Sequence, residues 1–235
     1  MDKIVLLDFD SMLYKNLESL DEYCDRIDEI ISHIVVDTQA THYRVFLESK
    51  GNTTFRKILN PLYKANRSGK ELPANFKEIK DYIIETYNPY LSVGVETDDS
   101  IISTLKYLRD EYPLSEVVIA VNDKDYHTFP VTSYDLYHSR FGEIKVISKR
   151  QADLNFHKQL LMGDTSDNVK GVKGIGDKGA LKVLEKSKYY LLSVAREYKR
   201  VYKGKWKEVL KTNYLMLKLR ENCKPCKEFD KVEFN

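Results

Sequence analysis

Apolar residues along the chain form short continuous runs that alternate with stretches of helical spacing. Four runs have the length of a β-strand and are rich in Val, Ile and Leu: residues 4–7, 43–47, 90–95 and 117–121. Such runs are typical of strands buried on both faces, as in a parallel sheet. Residues 20–34, 76–87 and 101–108 have helical spacing, and Ser19 and Glu22 form a capping box before the first of them. The alternation predicts an α/β fold with a mostly parallel central sheet flanked by helices.

An acidic residue follows each of the four predicted strands. These residues are Asp8, Glu48, Glu96 and, after the fourth strand, Asp123 with Asp125 two positions later. In an open parallel sheet the carboxyl ends of the strands lie along one edge, so we expect these acids to converge. For any one acid taken alone, a polar loop position is the alternative explanation.

Two further acids open the third predicted helix. Asp98 lies three, four and seven residues before Ile101, Ile102 and Leu105, so it shares their inward face, whereas Asp99 is rotated outward. Acids at a helix N-terminus also stabilise free backbone N–H groups, which is the alternative role for both.

Crowded carboxylates repel one another and take up protons unless cations neutralise them. The predicted cluster offers oxygen ligands without histidine or cysteine, which favours hard cations such as Mg²⁺ or Mn²⁺. Two such ions can activate a water and stabilise the leaving oxygen in phosphodiester hydrolysis. The acid pattern therefore predicts a nuclease.

The net charge of +2 conceals an uneven distribution of charge. Residues 168–220 contain 15 Lys or Arg and 4 acids, a local balance of +11, so the rest of the chain carries −9. Clustered cations interspersed with tyrosines favour contact with a phosphate backbone, although a solvated helical surface is the alternative. The 235 residues suit one compact unit, and no apolar run reaches the roughly 20 residues that span a bilayer.

The two ends of the chain carry weaker signals. The first ten residues lack the pattern of a signal peptide, so we expect a cytoplasmic location, without membrane contact. Near the other end, Cys223 and Cys226 form a CxxC without a second ligand pair, which favours free thiols over a zinc site.

The segment "GDTSDNVKGVKGIGDKGA", residues 163–180, combines acids with glycines. Asp164 and Asp167 lie three positions apart and share a face if the preceding helical pattern continues through them. Gly171, Gly174 and Gly176 permit a tight turn before the helical pattern resumes, as in a helix-hairpin-helix. Backbone N–H groups in such a turn bind phosphate without reading bases.

Taken in order, these motifs resemble those of the flap endonuclease, or 5′-nuclease, family. That family includes the 5′-nuclease domains of bacterial DNA polymerase I and the small phage exonucleases. The resemblance covers the chain from Lys3 to about Leu184. It is carried by "IVLLD", "FRKILNPLYKANR", "ETDD", "NDKD" and the glycine-rich segment 163–180.

The resemblance implies a PIN-like 5′-nuclease core over residues 1–162, including a helical arch at about 60–88. Residues 163–235 would hold the helix-hairpin-helix and a basic helical region, packed with the core as one compact, monomeric unit. It further implies a divalent-metal-dependent 5′-3′ exonuclease and flap endonuclease. The expected substrates are DNA with a 5′ flap, 5′ overhang or nick, including RNA-DNA hybrids at primers, in replication or repair in a bacterial or phage-infected cell.

The resemblance also implies roles for individual residues. One metal ion would be held by Asp8, Glu48, Glu96 and Asp98, with Asp99 as a further metal-binding residue. A second would be held by Asp123, Asp125, Asp164 and Asp167. Lys64 and Arg67 would approach the scissile phosphate as catalytic residues. DNA-binding roles would fall to Tyr63, which would stack near terminal bases, and to Arg56, Gly171, Lys173, Gly174, Gly176 and Lys178. The backbone of Val172 and Ile175 would hold K⁺, with Mg²⁺ as the catalytic metal and Mn²⁺ as a substitute.

One position departs from the family pattern. The second acid motif of the family usually carries Asp, whereas this chain has Glu48 at a loosely matching distance before "FR". A longer side chain still supplies a carboxylate, so altered metal binding is expected there. Two alternatives remain open: a DNA-structure-binding protein of the same fold that does not cleave, and a PIN-like ribonuclease, which the "GVKGIG" hairpin disfavours.

Overall fold

The computed structural model describes residues 2–12, 19–67, 72, 75–136 and 142–232. A central sheet organises this part of the chain, with strands in the order β3-β2-β1-β4-β5-β6. These strands are β1 (Lys3–Asp8), β2 (His42–Glu48), β3 (Tyr90–Ser92), β4 (Glu116–Val121), β5 (Thr132–Asp135) and β6 (Glu143–Val146). The first five run parallel, and β6 runs antiparallel to β5. The prediction of an α/β fold with a mostly parallel sheet is confirmed.

Helices cover both faces of this sheet. Helices α1 (Leu20–Thr38) and α3 (Phe76–Tyr87) contribute to one hydrophobic cluster, and α4 (Thr97–Glu111) to a second. Ser19 caps α1 as its sequence predicts, because its Oγ accepts a hydrogen bond of 3.1 Å from the Glu22 N–H. The short helix α2 (Phe55–Leu59) follows the loop after β2.

The third predicted strand is shorter than its apolar run suggests. It ends at Ser92, and Gly94 adopts φ of 72°, where the Asn52 side chain bonds the Gly94 N–H at 2.7 Å. This turn takes the chain out of the sheet and brings Glu96 to the start of α4, where it is the N-cap residue.

A helical lobe completes the described fold. It contains α5 (Lys149–Met162), α6 (Asp177–Glu185), α7 (Tyr190–Tyr202) and α8 (Trp206–Leu217), which share a third hydrophobic cluster. Helix α5 belongs to this cluster, although it precedes the predicted boundary at residue 162. A short hairpin, in which the strands β7 (Gly163–Asp164) and β8 (Val169–Lys170) have two residues each, joins α5 to α6.

The chain returns to the sheet at its end. Strand β9 (Asp230–Lys231) pairs antiparallel with β2, and Arg44 Nη1 lies 3.1 Å from Asp230 Oδ2. Of the arch predicted at about residues 60–88, residues 68–71, 73 and 74 lie outside the described residues. In the parts of the chain that the structure describes, no helix combines the length and apolar character needed to cross a membrane.

Candidate active site

The acids predicted at strand ends lie at the carboxyl edge of the sheet. Asp8 is the last residue of β1, Glu48 the last of β2, and Asp123 lies two positions after the end of β4. Asp8 is buried, and its Oδ2 accepts a 2.9 Å hydrogen bond from the Tyr126 hydroxyl. Parallel pairing of β1 with both β2 and β4 brings these strand ends together.

Asp164 and Asp167 reach the same edge by a turn and not by a helix, which corrects the prediction that they share a helical face. Helix α5 ends at Met162, and Asp164 Oδ1 accepts hydrogen bonds from the backbone N–H of Ser166 (2.8 Å) and Asp167 (3.2 Å). Gly163 has φ of 76°, a conformation that favours glycine and diverts the chain from the helix.

Gln159, which the sequence analysis missed, connects two of the acids. Its Nε2 lies 3.0 Å from Asp125 Oδ1 and 3.2 Å from Asp164 Oδ2. The residue lies one turn before the end of α5, so the helix that leads into the glycine-rich segment also contacts acids of the site. The sequence signal for this residue was a glutamine four positions before the "GD" of residues 163–164.

Lys64 and Arg67 adjoin the acids, as the resemblance implies. Lys64 Nζ bonds Glu96 Oε1 and lies 3.8 Å from Asp167 Oδ1, while Arg67 Nη2 lies 2.6 Å from that same oxygen. The Lys64 backbone N–H donates to the Asp167 carbonyl at 3.0 Å, which fixes this loop against the turn after α5. Both cations therefore lie directly beside the candidate carboxylates.

Tyr63 lies deeper than a residue that stacks on terminal bases. It is 3% exposed, and its hydroxyl lies 2.9 Å from Glu96 Oε2 and 2.7 Å from Asp167 Oδ2. Its ring packs in the hydrophobic cluster of the helical lobe. The structure thus differs from the stacking expectation, because the ring lies among α5 and α8 side chains rather than at the surface.

Arg56 is also internal, and it accounts for Asp99. Arg56 is 1% exposed and makes a bidentate pair with Asp99 (2.6 and 2.9 Å), while its Nη1 also lies 2.7 Å from Glu96 Oε2. Its other donors bond the carbonyls of Met216 and Lys218. With its donors engaged in the interior, Arg56 differs from the DNA-contacting role expected of it.

Asp99 is fully buried, whereas its neighbour Asp98 is only partly buried, which reverses the inward and outward assignment made from helical spacing. The reason is that the segment after α8 covers the outer face of α4. The Arg220 N–H donates to Asp99 Oδ1 at 2.8 Å, and the Cys223 and Cys226 N–H groups bond Ser103 and Thr104. The CxxC segment is part of this cover.

Asp10 is a second residue that the sequence analysis missed. Its Oδ2 accepts hydrogen bonds from the Glu48 backbone N–H and the Thr97 hydroxyl, so it ties the end of β2 to the start of α4. Lys80 of α3 lies 3.5 Å from Asp10 Oδ1 and donates to the Glu48 carbonyl at 3.0 Å. The only sequence signal was the spacing "DFD", in which the second acid repeats the first.

The acids differ in how their charges are compensated. Burial, reinforced by the charge of Asp10, raises the pKa of Asp8 to about 7, and burial with Asp123 raises the pKa of Asp125 to about 8. Burial also raises the pKa of Asp98 and of Glu48. Although burial alone would raise it, Lys64 and Arg56 hold the pKa of Glu96 below its usual value. Several carboxylates thus lack sufficient positive charge.

The donor chemistry of the cluster fits hard divalent cations, because every candidate ligand offers carboxylate oxygen. The raised pKa values of Asp8 and Asp125 indicate the same unmet need for positive charge. Within the described residues, no three His, Cys, Asp or Glu side chains stand arranged around one metal position. In this arrangement Lys64, Arg67 and Arg56 instead compensate Glu96, Asp167 and Asp99.

The glycine turn lies directly beyond Asp167. Gly171 approaches the backbone of Gly163 so closely that a Cβ would fall 2.2 Å from the Gly163 nitrogen. Gly174 adopts φ of 85°, and Gly174, Gly176, Lys173 and Lys178 are all exposed. The Ile175 N–H donates to the Val172 carbonyl at 3.1 Å within this turn. An exposed, basic turn therefore lies a short, fixed stretch of chain away from the acids.

Carboxylates at the carboxyl edge of a parallel sheet, adjoined by lysine and arginine and followed by an exposed glycine turn, are the arrangement of an α/β nuclease. The model of the 5′-3′ exonuclease, N-terminal resolvase-like domain family matches residues 22–154, more than half of the chain. The chain belongs to this 5′-3′ exonuclease family of nucleases.

Curated relatives agree with this assignment. DNA polymerase I of Rhizobium leguminosarum is 34% identical over 200 residues, which are 78% of this chain and 19% of the polymerase. The 5′-3′ exonuclease of Bacillus subtilis is 30% identical over 178 residues, which are 67% of this chain and 57% of that protein. The chain thus spans about a fifth of the polymerase and a little over half of the exonuclease.

Solved structures support the fold. The phage T5 D15 protein co-crystallised with metal ions superposes with a TM-score of 0.68 at 19% identity, covering 92% of this chain and 89% of that one. A variant of the T5 D15 flap endonuclease in complex with DNA and metal ions gives a TM-score of 0.61 at 17% identity, covering 92% and 99%. The PIN-like 5′-nuclease fold is confirmed.

Proposed function

We propose that this protein is a divalent-metal-dependent, structure-specific 5′-nuclease, with 5′-3′ exonuclease and flap endonuclease activities. The observation that carries the proposal is the acid cluster at the sheet edge, adjoined by Lys64 and Arg67 and joined through Asp164 and Asp167 to the glycine turn. The complex of the T5 flap endonuclease variant with DNA and metal ions supports it by similarity of fold.

Two groups of carboxylates are the candidate ligands for Mg²⁺, with Mn²⁺ as a substitute. The first group is Asp8, Glu48, Glu96 and Asp98, and the second is Asp123, Asp125, Asp164 and Asp167. Asp99, paired with Arg56, acts as a support for Glu96. Divalent ions at such a site supply charge compensation and an activated water. Gln159 and Asp10 orient the acids through the hydrogen bonds described above.

Lys64 and Arg67 bind the scissile phosphate in this proposal. Both bond carboxylates in this structure, and both side chains would be free to meet a phosphate if divalent cations compensated those carboxylates instead. Arg67, whose side chain is 47% exposed, reaches the phosphate from solvent, and Lys64 does so from the loop held by Asp167. Preorganised cations of this kind stabilise charge that develops in the transition state.

The glycine turn holds the duplex. Lys173 and Lys178 meet phosphates, and the backbone of Gly171, Gly174 and Gly176 approaches them closely, with K⁺ held by the backbone of Val172 and Ile175. The substrates we propose are DNA with a 5′ flap, 5′ overhang or nick, and RNA-DNA hybrids at primers. The protein acts as a monomer in replication or repair, in the cytoplasm of a bacterium or of a phage-infected cell.

Cleavage of a 5′-labelled flap duplex and a 5′-recessed duplex at enzyme excess tests the proposal. We expect cleavage of at least one substrate with Mg²⁺ and with Mn²⁺, and none in EDTA, where the carboxylates lack their cations. Cleavage in EDTA, or two intact substrates in both metals, would contradict it. Single-stranded RNA serves as the comparison substrate and should be cut more slowly than the flap.

A further inference from the structure

A groove runs across the first half of α5, outside the acid cluster. Two adjoining cavities of about 680 and 690 Å³ are lined by this helix and share Arg150, Asp153, Phe156 and Lys218. Together they extend from Phe129 and Pro130 to Ser187 and Leu191. We call this surface the α5 groove, defined by Phe129, Arg150, Phe156, Lys188, Tyr189 and Lys218.

Aromatic rings form much of the groove. Phe156 packs edge-on against Tyr214 at 5.2 Å between ring centroids, and His157 packs against Tyr190 at 5.6 Å. Tyr189, at the start of α7, is 59% exposed, and Tyr214 is 37% exposed. The groove therefore presents ring surface that a flat partner can stack upon.

Cations border these rings. Lys218 Nζ lies 5.6 Å from the Phe129 ring centroid and 5.4 Å from that of Phe156, and Lys188 Nζ lies 5.6 Å from that of Tyr189. Lys149 and Arg150 are exposed at the start of α5. Among the described residues, no carboxylate forms an ion pair with Lys149, Arg150 or Lys188.

The two acids of the groove each lie beside a basic side chain. Asp153 Oδ1 lies 3.2 Å from His157 Nδ1, and Glu221 Oε1 lies 3.6 Å from Lys218 Nζ. Four cations thus face two acids, which leaves the surface positive. An occupant that carries both flat rings and negative charge complements it, and single-stranded nucleic acid has both at every nucleotide.

We propose that the α5 groove binds unpaired nucleotides of the substrate, with bases on the tyrosines and phosphates at Arg150, Lys188 and Lys218. The inference rests on the proposed nuclease function and adds to it a second nucleic-acid contact. Arg150 precedes Gln159, which touches Asp125 and Asp164, by nine residues, or about 14 Å along the helix axis. The same helix therefore separates the held nucleotides from the acids by a fixed distance.

The test measures the affinity of a fluorescent oligo(dT) strand by anisotropy in EDTA, so that no cleavage occurs. We expect Arg150→Glu combined with Lys188→Glu to weaken binding about 10-fold or more and to flatten the dependence of affinity on salt concentration. The matched control is Lys227→Glu, because Lys227 lies over the Tyr107 ring of α4 at 5.2 Å and lines neither cavity of the groove. It should bind as the wild type does.

A second pair of variants separates stacking from charge. We expect Tyr189→Ala to weaken binding about 5- to 100-fold, the range for loss of one stacking surface, and Tyr189→Phe to retain it. Tyr112, which is 52% exposed on α4's C-terminal side, supplies the control Tyr112→Ala. Since these side chains are exposed, thermal melting should show all variants folded.

Two results would overturn the inference directly: groove variants that bind oligo(dT) as tightly as the wild type, or a wild type that does not bind oligo(dT). A third is that polyglutamate displaces the bound oligo(dT) while Tyr189→Ala has no effect on binding. That result would mean that the groove binds acidic protein. Cleavage of the 5′ flap by the wild type is measured in parallel. Failure of that cleavage contradicts the proposed function, whereas cleavage with unaffected groove variants contradicts only the groove.

Discussion

At the scale of single residues, Arg56 does the most to hold the site together. Its guanidinium bonds Glu96 and Asp99, and also the backbone carbonyls of Met216, in the last turn of α8, and of Lys218, directly after that helix. It therefore links the sheet edge to the helical lobe. A buried ion pair is costly to break from one side, because the remaining charge stays desolvated.

We therefore expect Arg56→Ala to lower the free energy of unfolding by about 3–5 kcal/mol, or the melting temperature by roughly 10 °C. Arg26→Ala is the matched control, since the Arg26–Glu29 pair on α1 lies at the surface, with side chains 28% and 60% exposed, and its loss should cost about 0.5 kcal/mol or less. Urea unfolding monitored by circular dichroism measures both. Equal stability of the two variants would show that Arg56 carries no such structural role.

Asp135 gives a pH dependence whose sign can be stated. Although burial opposes it, hydrogen bonds from His127 and Lys145 lower the pKa of Asp135 to about 2. Because this value lies below the unfolded value of about 3.9, the carboxylate stabilises the fold fully above about pH 5. That contribution declines as the pH falls through 4 toward 2.

We expect the wild type to lose about 2 kcal/mol of stability over that interval through Asp135, and Asp135→Asn to lose correspondingly less. Unfolding by urea at a series of pH values between about 5 and 2 measures the difference. Parallel curves for the two proteins would contradict the assignment.

At the scale of elements, the Lys80 side chain connects α3 to the site. Lys80 contacts both Asp10 and the carbonyl of Glu48, so the position of this helix affects a candidate metal ligand. Groups that orient metal ligands typically alter metal affinity 10- to 100-fold when removed.

We expect Lys80→Met to raise the Mg²⁺ concentration for half-maximal flap cleavage about 10-fold, with stability nearly unchanged. Lys77→Met is the control on the same helix, since Lys77 pairs with Asp81 at the surface. The metal titration is paired with thermal melting in EDTA. An unchanged Mg²⁺ requirement in Lys80→Met would remove the proposed link between α3 and Glu48.

The elements also show which parts of the fold the sequence patterns could predict. The apolar runs and helical spacing predict β1, β2, β4 and the three helices α1, α3 and α4. Strands buried on both faces give continuous apolar runs, whereas helices buried along one stripe repeat apolar residues at helical spacing. Spacing failed at Asp99, since its surroundings are supplied by the segment after α8, more than a hundred residues away. It also failed at Asp164, where a glycine with positive φ ends the helix.

Contacts between distant parts of the chain explain the missed residues as well. Asp10, Gln159 and Lys80 each support an acid through a hydrogen bond or ion pair to another element. Local sequence patterns mark such residues weakly at best, because their role depends on which elements become neighbours. The motif resemblance located the candidate acids but assigned Arg56 and Tyr63 to the surface, where the structure has them buried.

At the scale of the whole molecule, the acid cluster and the glycine turn are joined by one short stretch of chain. Helix α5 bears Gln159 near its end, and the chain passes from there through Asp164 and Asp167 into the turn. A duplex held at the turn would therefore present its phosphates at a set distance from the acids. On this account, cutting and binding are separable functions of neighbouring residues.

The most direct test is to measure binding and single-turnover cleavage of one 5′-flap duplex by Asp125→Asn. We expect binding in Ca²⁺ within about threefold of the wild type, and Mg²⁺-dependent cleavage slower by about 100-fold or more, since ligands of a catalytic metal carry several kcal/mol of transition-state stabilisation. Asp135→Asn, which alters an acid at the same sheet edge with partners of its own, should cleave as the wild type does at neutral pH. Cleavage by Asp125→Asn at the wild-type rate, or a loss of cleavage that only follows a loss of binding, would contradict the account.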